Sequence, residues 1–215
     1  MVRVKIGIIG ASGKAGKVIM KEAISRGHEI TAIVRDASKI EEGKVQILEK
    51  DVFSLTSEDL KSFDVVVNAF GVPPEKAEQH VEAGRNLIQA LKEAPDTRLI
   101  VVGGAGSLFV DEARTTRLIE TPEFPDAFKA IASSQAQNLA DLEASEGIEW
   151  TFLSPAAFFD AEGRRTGSYE IGEDSITVNK RGKSYVSYPD YAIALVDEIE
   201  NPRHFNKRFT VVSEK

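Results

Sequence analysis

Residues 7–18 read GIIGASGKAGKV, with glycines at 7, 10, 13 and 16 and lysines at 14 and 17. Glycines this dense indicate that the backbone approaches a ligand closely, and phosphate is the commonest such ligand. The phosphate loop of mononucleotide-binding proteins requires a glycine where Ala11 stands and a serine or threonine where Val18 stands. The remaining phosphate-binding interpretation is the turn that cradles the pyrophosphate of a dinucleotide.

The segments on both sides of this loop have the pattern that a dinucleotide site needs. The apolar run 2–9 predicts a buried strand before the loop. Apolar residues at helical spacing over 14–26 predict a helix after it, and Gly27 is placed to end that helix. The glycines therefore lie between a strand and an amphipathic helix, which favours a cofactor site over a purely structural turn.

The rest of the chain continues this alternation of strands and helices. Further strands are predicted at 28–35, 44–52, 63–71, 97–106, 148–155, 184–187 and 208–212, with a small hairpin at 167–178. Helices are predicted over about 18 residues with an apolar stripe from Ala77 to Leu91 and at 126–146 and 190–200. Because the strands are continuous apolar runs, the sequence predicts an α/β domain, residues 1–215, with a doubly wound parallel sheet of the Rossmann type. We expect residues 155–188 to form a small C-terminal substrate lobe over the sheet.

Each glycine of the triplet has a predicted role. Gly10 lets the chain turn sharply, Gly13 lets the backbone approach the pyrophosphate, and Gly16 lets the helix pack close to the sheet. Other cofactor contacts are expected at the carboxyl ends of the strands, since ligands of such sheets collect there. The predicted cofactor-binding residues are Gly10, Ser12, Gly13, Lys14, Ala15, Gly16, Arg35, Asp51, Val52, Asn68, Ala69, Phe70, Gly71 and Gly103.

The residue that ends the second strand bears on the choice of coenzyme. An acidic residue there is typical of NAD sites, whereas an arginine suits the 2′-phosphate of NADP. This chain has Arg35 at that place, with Ser12 and Lys14 in the loop beside it. The sequence therefore favours NADP, with NAD as the alternative, and an ion pair between Arg35 and a local acid such as Asp36 stays open.

Composition excludes several function classes. The 215 residues include no cysteine, and the three histidines show no ligand spacing, so we expect no metal site. The net charge of −7 argues against nucleic-acid binding. No apolar run approaches the roughly 20 residues of a membrane helix, and the N-terminal run is too short for a signal peptide. We expect a cytoplasmic protein that acts on small molecules; its oligomeric state is not predicted.

Several stretches resemble one known group. The segment GIIGASGKAGKVIMKEAISRGHEITAIVRDASKI is similar to the opening of the biliverdin-IX-beta/flavin reductases. The stretches VVGGAGSL, WTFLSP, RTGSY and SYVSYPDYAIALVDEIENP resemble bacterial proteins described as NADH-flavin reductases. The chain thus resembles the NAD(P)H-binding branch of the atypical short-chain dehydrogenases/reductases over nearly its whole length. The resemblance implies a reductase for which a flavin is a substrate rather than a tightly bound group.

The chain departs from most short-chain dehydrogenases at their catalytic helix. Those enzymes use a tyrosine and, four residues later, a lysine; the matching places here fall near Ala132 and Ala136. Alcohol–ketone chemistry and the sugar epimerisation that depends on it are therefore disfavoured. Hydride transfer to a flavin-like or quinone-like acceptor needs no such pair, because the acceptor delocalises the incoming charge and the protein has only to hold two rings face to face.

Side chains for the acceptor are also predicted. Ser107 and Gln135 are candidate hydrogen-bonding groups at the reacting rings, against structural roles in a loop and a helix. The candidate aromatic wall of the substrate pocket consists of Phe109, Phe158 and Phe159, against plain core packing. Three arginines are candidates for a phosphorylated or carboxylated acceptor such as FMN: Arg114, Arg164 and Arg165.

Two functions remain open from the sequence. The first is an NAD(P)H-dependent reductase. The second is a non-catalytic, dinucleotide-binding redox sensor that contacts other proteins. The missing tyrosine–lysine pair fits both.

Overall fold

A computed structural model describes residues 3–41, 43 and 45–215. Ten strands are found among these residues: β1 (Lys5–Ile9), β2 (Glu29–Val34), β3 (Gln46–Glu49), β4 (Val65–Asn68), β5 (Arg98–Val102), β6 (Trp150–Ser154), β7 (Phe158–Asp160), β8 (Glu170–Gly172), β9 (Tyr185–Ser187) and β10 (Lys207–Val212). The α-helices are α1 (Lys14–Ser25), α2 (Ser57–Leu60), α3 (Gln79–Leu91), α4 (Asp126–Glu143) and α5 (Tyr188–Glu200). No helix in the described part of the chain is both long enough and apolar enough to cross a bilayer.

The main sheet has eight strands in the order β3-β2-β1-β4-β5-β6-β10-β8. All neighbours in it are parallel except β8, which runs antiparallel to β10. Helices α1 and α5 pack together, as do α3 and α4. The prediction of a doubly wound, Rossmann-type sheet is confirmed.

Two apolar cores lie on the two faces of this sheet. In β4, Val65 and Val67 belong to the core beneath α1 and α5, whereas Val66 belongs to the core beneath α3 and α4. Successive side chains of a strand point to opposite faces, so a strand covered on both faces is apolar at every position. This explains why inner strands such as β4 read as continuous apolar runs, whereas β3, at the edge of the sheet, is mostly exposed.

Several predicted boundaries shift for local reasons. Helix α3 begins only at Gln79, because the prolines at 73 and 74 bring the chain in through a short 3-10 turn. Helix α5 begins two residues earlier than predicted, with the Ser187 hydroxyl accepting a hydrogen bond from the Asp190 N–H at 3.2 Å. Proline is tolerated in that first turn. Two residues of the predicted strands, Val2 and Lys44, lie outside the described residues.

The predicted hairpin at 167–178 is wrong. Within it only Glu170–Gly172 forms a strand, and this strand pairs with the open edge of β10. Residues 174–176 instead bond to Phe109, whose N–H donates to the Asp174 carbonyl at 2.9 Å. Strands β7 and β9 form a separate two-stranded parallel sheet.

Candidate active site

A cleft of about 780 Å³ lies at the carboxyl ends of the parallel strands. Its walls come from the turn after β1, from the ends of β2 to β6, and from α3, α4, β7 and α5. Of the sequence-predicted site residues, fourteen line it together: Gly10, Ser12, Gly13, Lys14, Ala15, Arg35, Asp51, Val52, Ala69, Phe70, Gly71, Gly103, Gln135 and Phe159.

The glycine turn divides into structural and accessible positions. Gly10 has φ +72°, and a Cβ there would lie 2.5 Å from the Ala69 carbonyl oxygen. A Cβ on Gly16 would lie 2.2 Å from the Gly10 carbonyl oxygen, so this glycine permits the close approach of α1. Gly13 differs, because it is exposed, has φ −76°, and its Cβ would meet only the Gly10 carbonyl oxygen, at 3.2 Å. A side chain at Gly13 would need that carbonyl oxygen to shift by a few tenths of an ångström, less than at Gly10 or Gly16, and it would take up space in the cleft that Gly13 lines.

The first turn of α1 offers hydrogen-bond donors to this part of the cleft. The first N–H groups of a helix have no partner within the helix, and no side chain caps α1. Lys14 and Ala15, which open the helix, both line the cleft. The residues present therefore fit the pyrophosphate of a dinucleotide.

Four cations surround the cleft where β1, β2 and β3 end. They are Lys14, Arg35, Lys39 and Lys50. Arg35 is exposed and makes no ion pair or hydrogen bond within the described part of the chain. The alternative pairing with Asp36 is not formed, because that carboxylate accepts from the Ser38 N–H and hydroxyl and lies 3.9 Å from the Lys39 ammonium. The Arg35 guanidinium is thus available to a ligand.

Two other predicted cofactor residues have structural partners. The Asp51 carboxylate lines the cleft and accepts the Phe53 N–H at 3.1 Å, which caps the turn after β3. Asn68 is buried and does not line the cleft; its side-chain oxygen accepts the Phe70 N–H at 3.1 Å. This hydrogen bond holds the backbone at the end of β4 in place.

Ser107 lies away from the cleft. It is buried, and its hydroxyl accepts a hydrogen bond from the Arg208 guanidinium at 2.8 Å. The same guanidinium pairs with Asp174 at 2.9 Å. This corresponds to the loop role that the sequence left open.

Gln135 lies inside the cleft near the end of β5. A Cβ on Gly104 would come 2.0 Å from its Oε1, so the amide rests against the backbone that follows this strand. No hydrogen bond to another described residue engages this amide. It is therefore free to contact a ligand.

The three phenylalanines predicted as an aromatic wall separate. Phe159 lines the cleft. Phe158 is 57% exposed and packs on Tyr185 outside the cleft, with ring centroids 5.8 Å apart. Phe109 is half-buried in the loop after β5, beneath the Arg117 guanidinium at 5.9 Å. Only one member of the predicted wall is in position to contact an acceptor.

The structure adds one aliphatic and two aromatic residues whose place in the cleft sequence reasoning missed. Phe128 and Ile131 reach the cleft from α4 and Tyr188 from α5. The Tyr188 and Phe159 rings lie 4.0 Å apart, and burial raises the pKa of the Tyr188 hydroxyl above its ordinary value. Phe128 belongs to the predicted helical stripe, which indicates a buried residue, yet it is 60% exposed. The sequence pattern alone does not reveal this exposure.

His80 lies at the middle of the cleft. Its ring packs edge-on against Phe70, with centroids 5.6 Å apart. Burial lowers the pKa of His80, so the imidazole is neutral at pH 7. Within residues 3–41, 43 and 45–215, no three His, Asp or Glu side chains gather in the manner of a metal site.

The chain is similar to known proteins over nearly its whole length. Residues 10–202 match the model of a family described as NAD(P)H-binding. YwnB of Bacillus subtilis strain 168, described as uncharacterized, is 66% identical over 210 residues, which are 98% of this chain and 99% of YwnB.

Two solved structures are similar along their whole length. SP1627 of Streptococcus pneumoniae TIGR4, named as a proposed NADH-flavin reductase, is 43% identical with a TM-score of 0.93, covering 98% of this chain and 100% of SP1627. A proposed epimerase from Bacteroides thetaiotaomicron is 35% identical with a TM-score of 0.89, covering 100% of both chains.

Proposed function

Because the chain belongs to the NAD(P)H-binding family, we propose that it is an NADPH-dependent reductase that passes a hydride to a flat, conjugated acceptor. Family membership and the likeness to SP1627 confirm the general prediction of an NAD(P)H-dependent oxidoreductase. The observation that carries the finer proposal is the Arg35 guanidinium, which lies at the cleft with no partner in the described chain. A guanidinium forks onto phosphate, so this position favours the 2′-phosphate of NADP.

The residues of the cleft divide the work. The first turn of α1, behind Gly13, binds the pyrophosphate, and Arg35 with Lys14 binds the 2′-phosphate. When bound, the reduced nicotinamide supplies the hydride. Phe159 and Gln135 orient the acceptor and exclude water at the end of β5, so that the two rings meet at close range.

A flavin-like or quinone-like acceptor suits this chain better than an alcohol, a ketone or a sugar. Helix α4 contains no tyrosine, and Ala132 and Ala136 stand at the places of the usual catalytic pair. This argues against the epimerisation named for the Bacteroides relative.

The test is oxidation of NADPH and NADH by the purified protein with FMN, FAD, riboflavin and menadione as acceptors. We expect turnover of about 1 s⁻¹ or more with at least one acceptor, and a lower KM for NADPH than for NADH. Tight binding of NADPH without turnover across the panel would support the redox sensor instead. If neither coenzyme binds, the proposal fails altogether.

A further inference from the structure

The two ends of the cleft carry different charges. Among the described residues, the cations that line it all follow β1, β2 or β3: Lys14, Arg35, Lys39 and Lys50. The lining residues described around the ends of β5 and β6 include no charged side chain: Val102, Gly103, Gly104, Phe128, Ile131, Gln135, Pro155, Phe159 and Tyr188. Strands β3 and β6 are five positions apart in the sheet, about 24 Å at the usual strand spacing.

The arginines that the sequence offered to a charged acceptor have other positions. Arg114 lies 3.7 Å from both Glu173 and Asp174. Arg165 pairs with Glu22 at 3.2 Å, and Arg164 donates to the Lys215 carbonyl at 3.1 Å. None of these arginines lines the cleft. A phosphate on the acceptor would therefore lose its hydration at this end without gaining a cation.

One described residue that carries a hydroxyl group, Tyr188, lines the uncharged end. Tyr188 is the first residue of α5, half-buried, and its hydroxyl bonds to no described residue. Packing holds its ring: the Phe159 ring lies against it, with centroids 4.0 Å apart and the planes tilted by 33°, and against Tyr191, with centroids 4.7 Å apart and a tilt of 48°. The Tyr191 hydroxyl donates to the Leu153 carbonyl at 2.7 Å, which ties this stack to the end of β6.

We infer that the acceptor is an uncharged, flat, conjugated carbonyl compound, and that Tyr188 is a catalytic residue that donates a hydrogen bond and then a proton to its oxygen. This inference rests on the proposed function, and it narrows the acceptor class. The free Gln135 amide supplies a further polar contact at the same end.

The step balances as a two-electron reduction. The acceptor gains a hydride from the reduced nicotinamide, which leaves as NADP⁺, and one proton from the Tyr188 hydroxyl. The phenolate then regains a proton from water. Burial raises the pKa of Tyr188, so the phenol enters the step protonated and holds its proton until hydride addition makes the acceptor oxygen more basic.

The first experiment measures binding and requires no turnover. Menadione, which is uncharged, and FMN are titrated into the protein saturated with NADP⁺. We expect menadione to bind more tightly than FMN. Tyr188→Phe should lower the affinity for menadione about fivefold, as for the loss of one hydrogen bond. Tyr169→Phe is the matched control, because its hydroxyl bonds to Asp197 at 2.8 Å and does not line the cleft.

The second experiment measures kcat for menadione. We expect Tyr188→Phe to lower kcat about tenfold, as for the loss of one hydrogen bond to the oxyanion that develops on the acceptor, with NADPH affinity unchanged, and Tyr169→Phe to leave kcat at the wild-type value. Tighter binding of FMN than of menadione, or equal menadione affinity and kcat in Tyr188→Phe and wild type, would overturn the inference. If the binding pattern holds but wild type reduces no acceptor, the uncharged site stands and the reductase proposal fails.

Discussion

At the end of the cleft beside β1, β2 and β3, a ligand meets backbone N–H groups and cations, whereas beside β5 and β6 it meets rings and one amide. The first end is made of residues 10–51, close together in the sequence. The second end draws Phe128, Phe159 and Tyr188 from three separate elements. The two ends therefore differ in chemistry and also in how directly the sequence specifies them.

This difference suits a reductase that binds its coenzyme at one end of the cleft and selects its acceptor at the other end. Phosphates need charge and a rigid cradle, which a helix N-terminus and a glycine turn supply from a short stretch of chain. A flat acceptor needs two opposed apolar surfaces, which only tertiary packing brings together. We expect changes at the first end to alter coenzyme binding and changes at the second end to alter acceptor use.

The largest effect is expected from Gly13→Val. A Cβ at Gly13, the N-cap of α1, would lie 3.2 Å from one carbonyl oxygen, so the free energy of unfolding should fall by only about 1–2 kcal/mol. The same side chain occupies the pyrophosphate position, so NADPH affinity should fall at least about 100-fold. Calorimetric titration with NADPH measures the affinity, and thermal unfolding without coenzyme measures the fold.

Gly16→Val is the control for Gly13→Val. Its Cβ would lie 2.2 Å from the Gly10 carbonyl oxygen, so we expect a loss of about 3 kcal/mol or more in the free energy of unfolding. The two variants thus separate a glycine needed by the ligand from one needed by the fold. Normal NADPH binding by Gly13→Val would show that no pyrophosphate lies on the turn.

The second effect concerns the cation after β2. Arg35→Glu should lower the affinity for NADPH about 30-fold, as for the loss of a charge-assisted contact. The affinity for NADH should fall less than about threefold. Arg181→Glu makes the same charge change at an exposed position outside the cleft and should leave both affinities unchanged. Equal losses for the two coenzymes in Arg35→Glu would place the 2′-phosphate elsewhere.

Much of the fold could be predicted from the sequence, because its signals are local. Continuous apolar runs located the parallel strands of the main sheet, and helical stripes located α1, α3, α4 and α5. The hairpin at 167–178 was wrong because alternation within a segment does not reveal which strand it will pair with. In this chain the open edge of β10 takes β8.

The candidate site, like the fold, could be predicted where its signals are local in the sequence. Gly10, Gly13 and most of the predicted strand-end residues line the cleft because each follows a strand whose carboxyl end faces it, whereas Gly16 and Asn68 do not line it. Ser107 and Phe109 also follow a strand, but the loop carries them to Arg208 and to residues 174–176 instead. The sequence did not indicate that Tyr188 lines the cleft, because no spacing rule links the start of α5 to the end of β5.

The smallest expected effect lies between the two ends, at His80. Burial lowers its pKa in the folded protein, while the unfolded chain keeps the ordinary value of about 6.5. As the pH falls below that value, the unfolded state binds a proton that the folded state does not, so the free energy of unfolding decreases until the pH passes the lowered pKa. Between pH 7.5 and 5.5, the Tm of wild type should therefore fall more than that of His80→Gln, by no more than about 3 °C. All other titratable groups are shared by both proteins, so their contributions cancel in the difference. An identical fall in both would mean that His80 takes up its proton without cost, and that the middle of the cleft admits charge as readily as the end beside β1, β2 and β3.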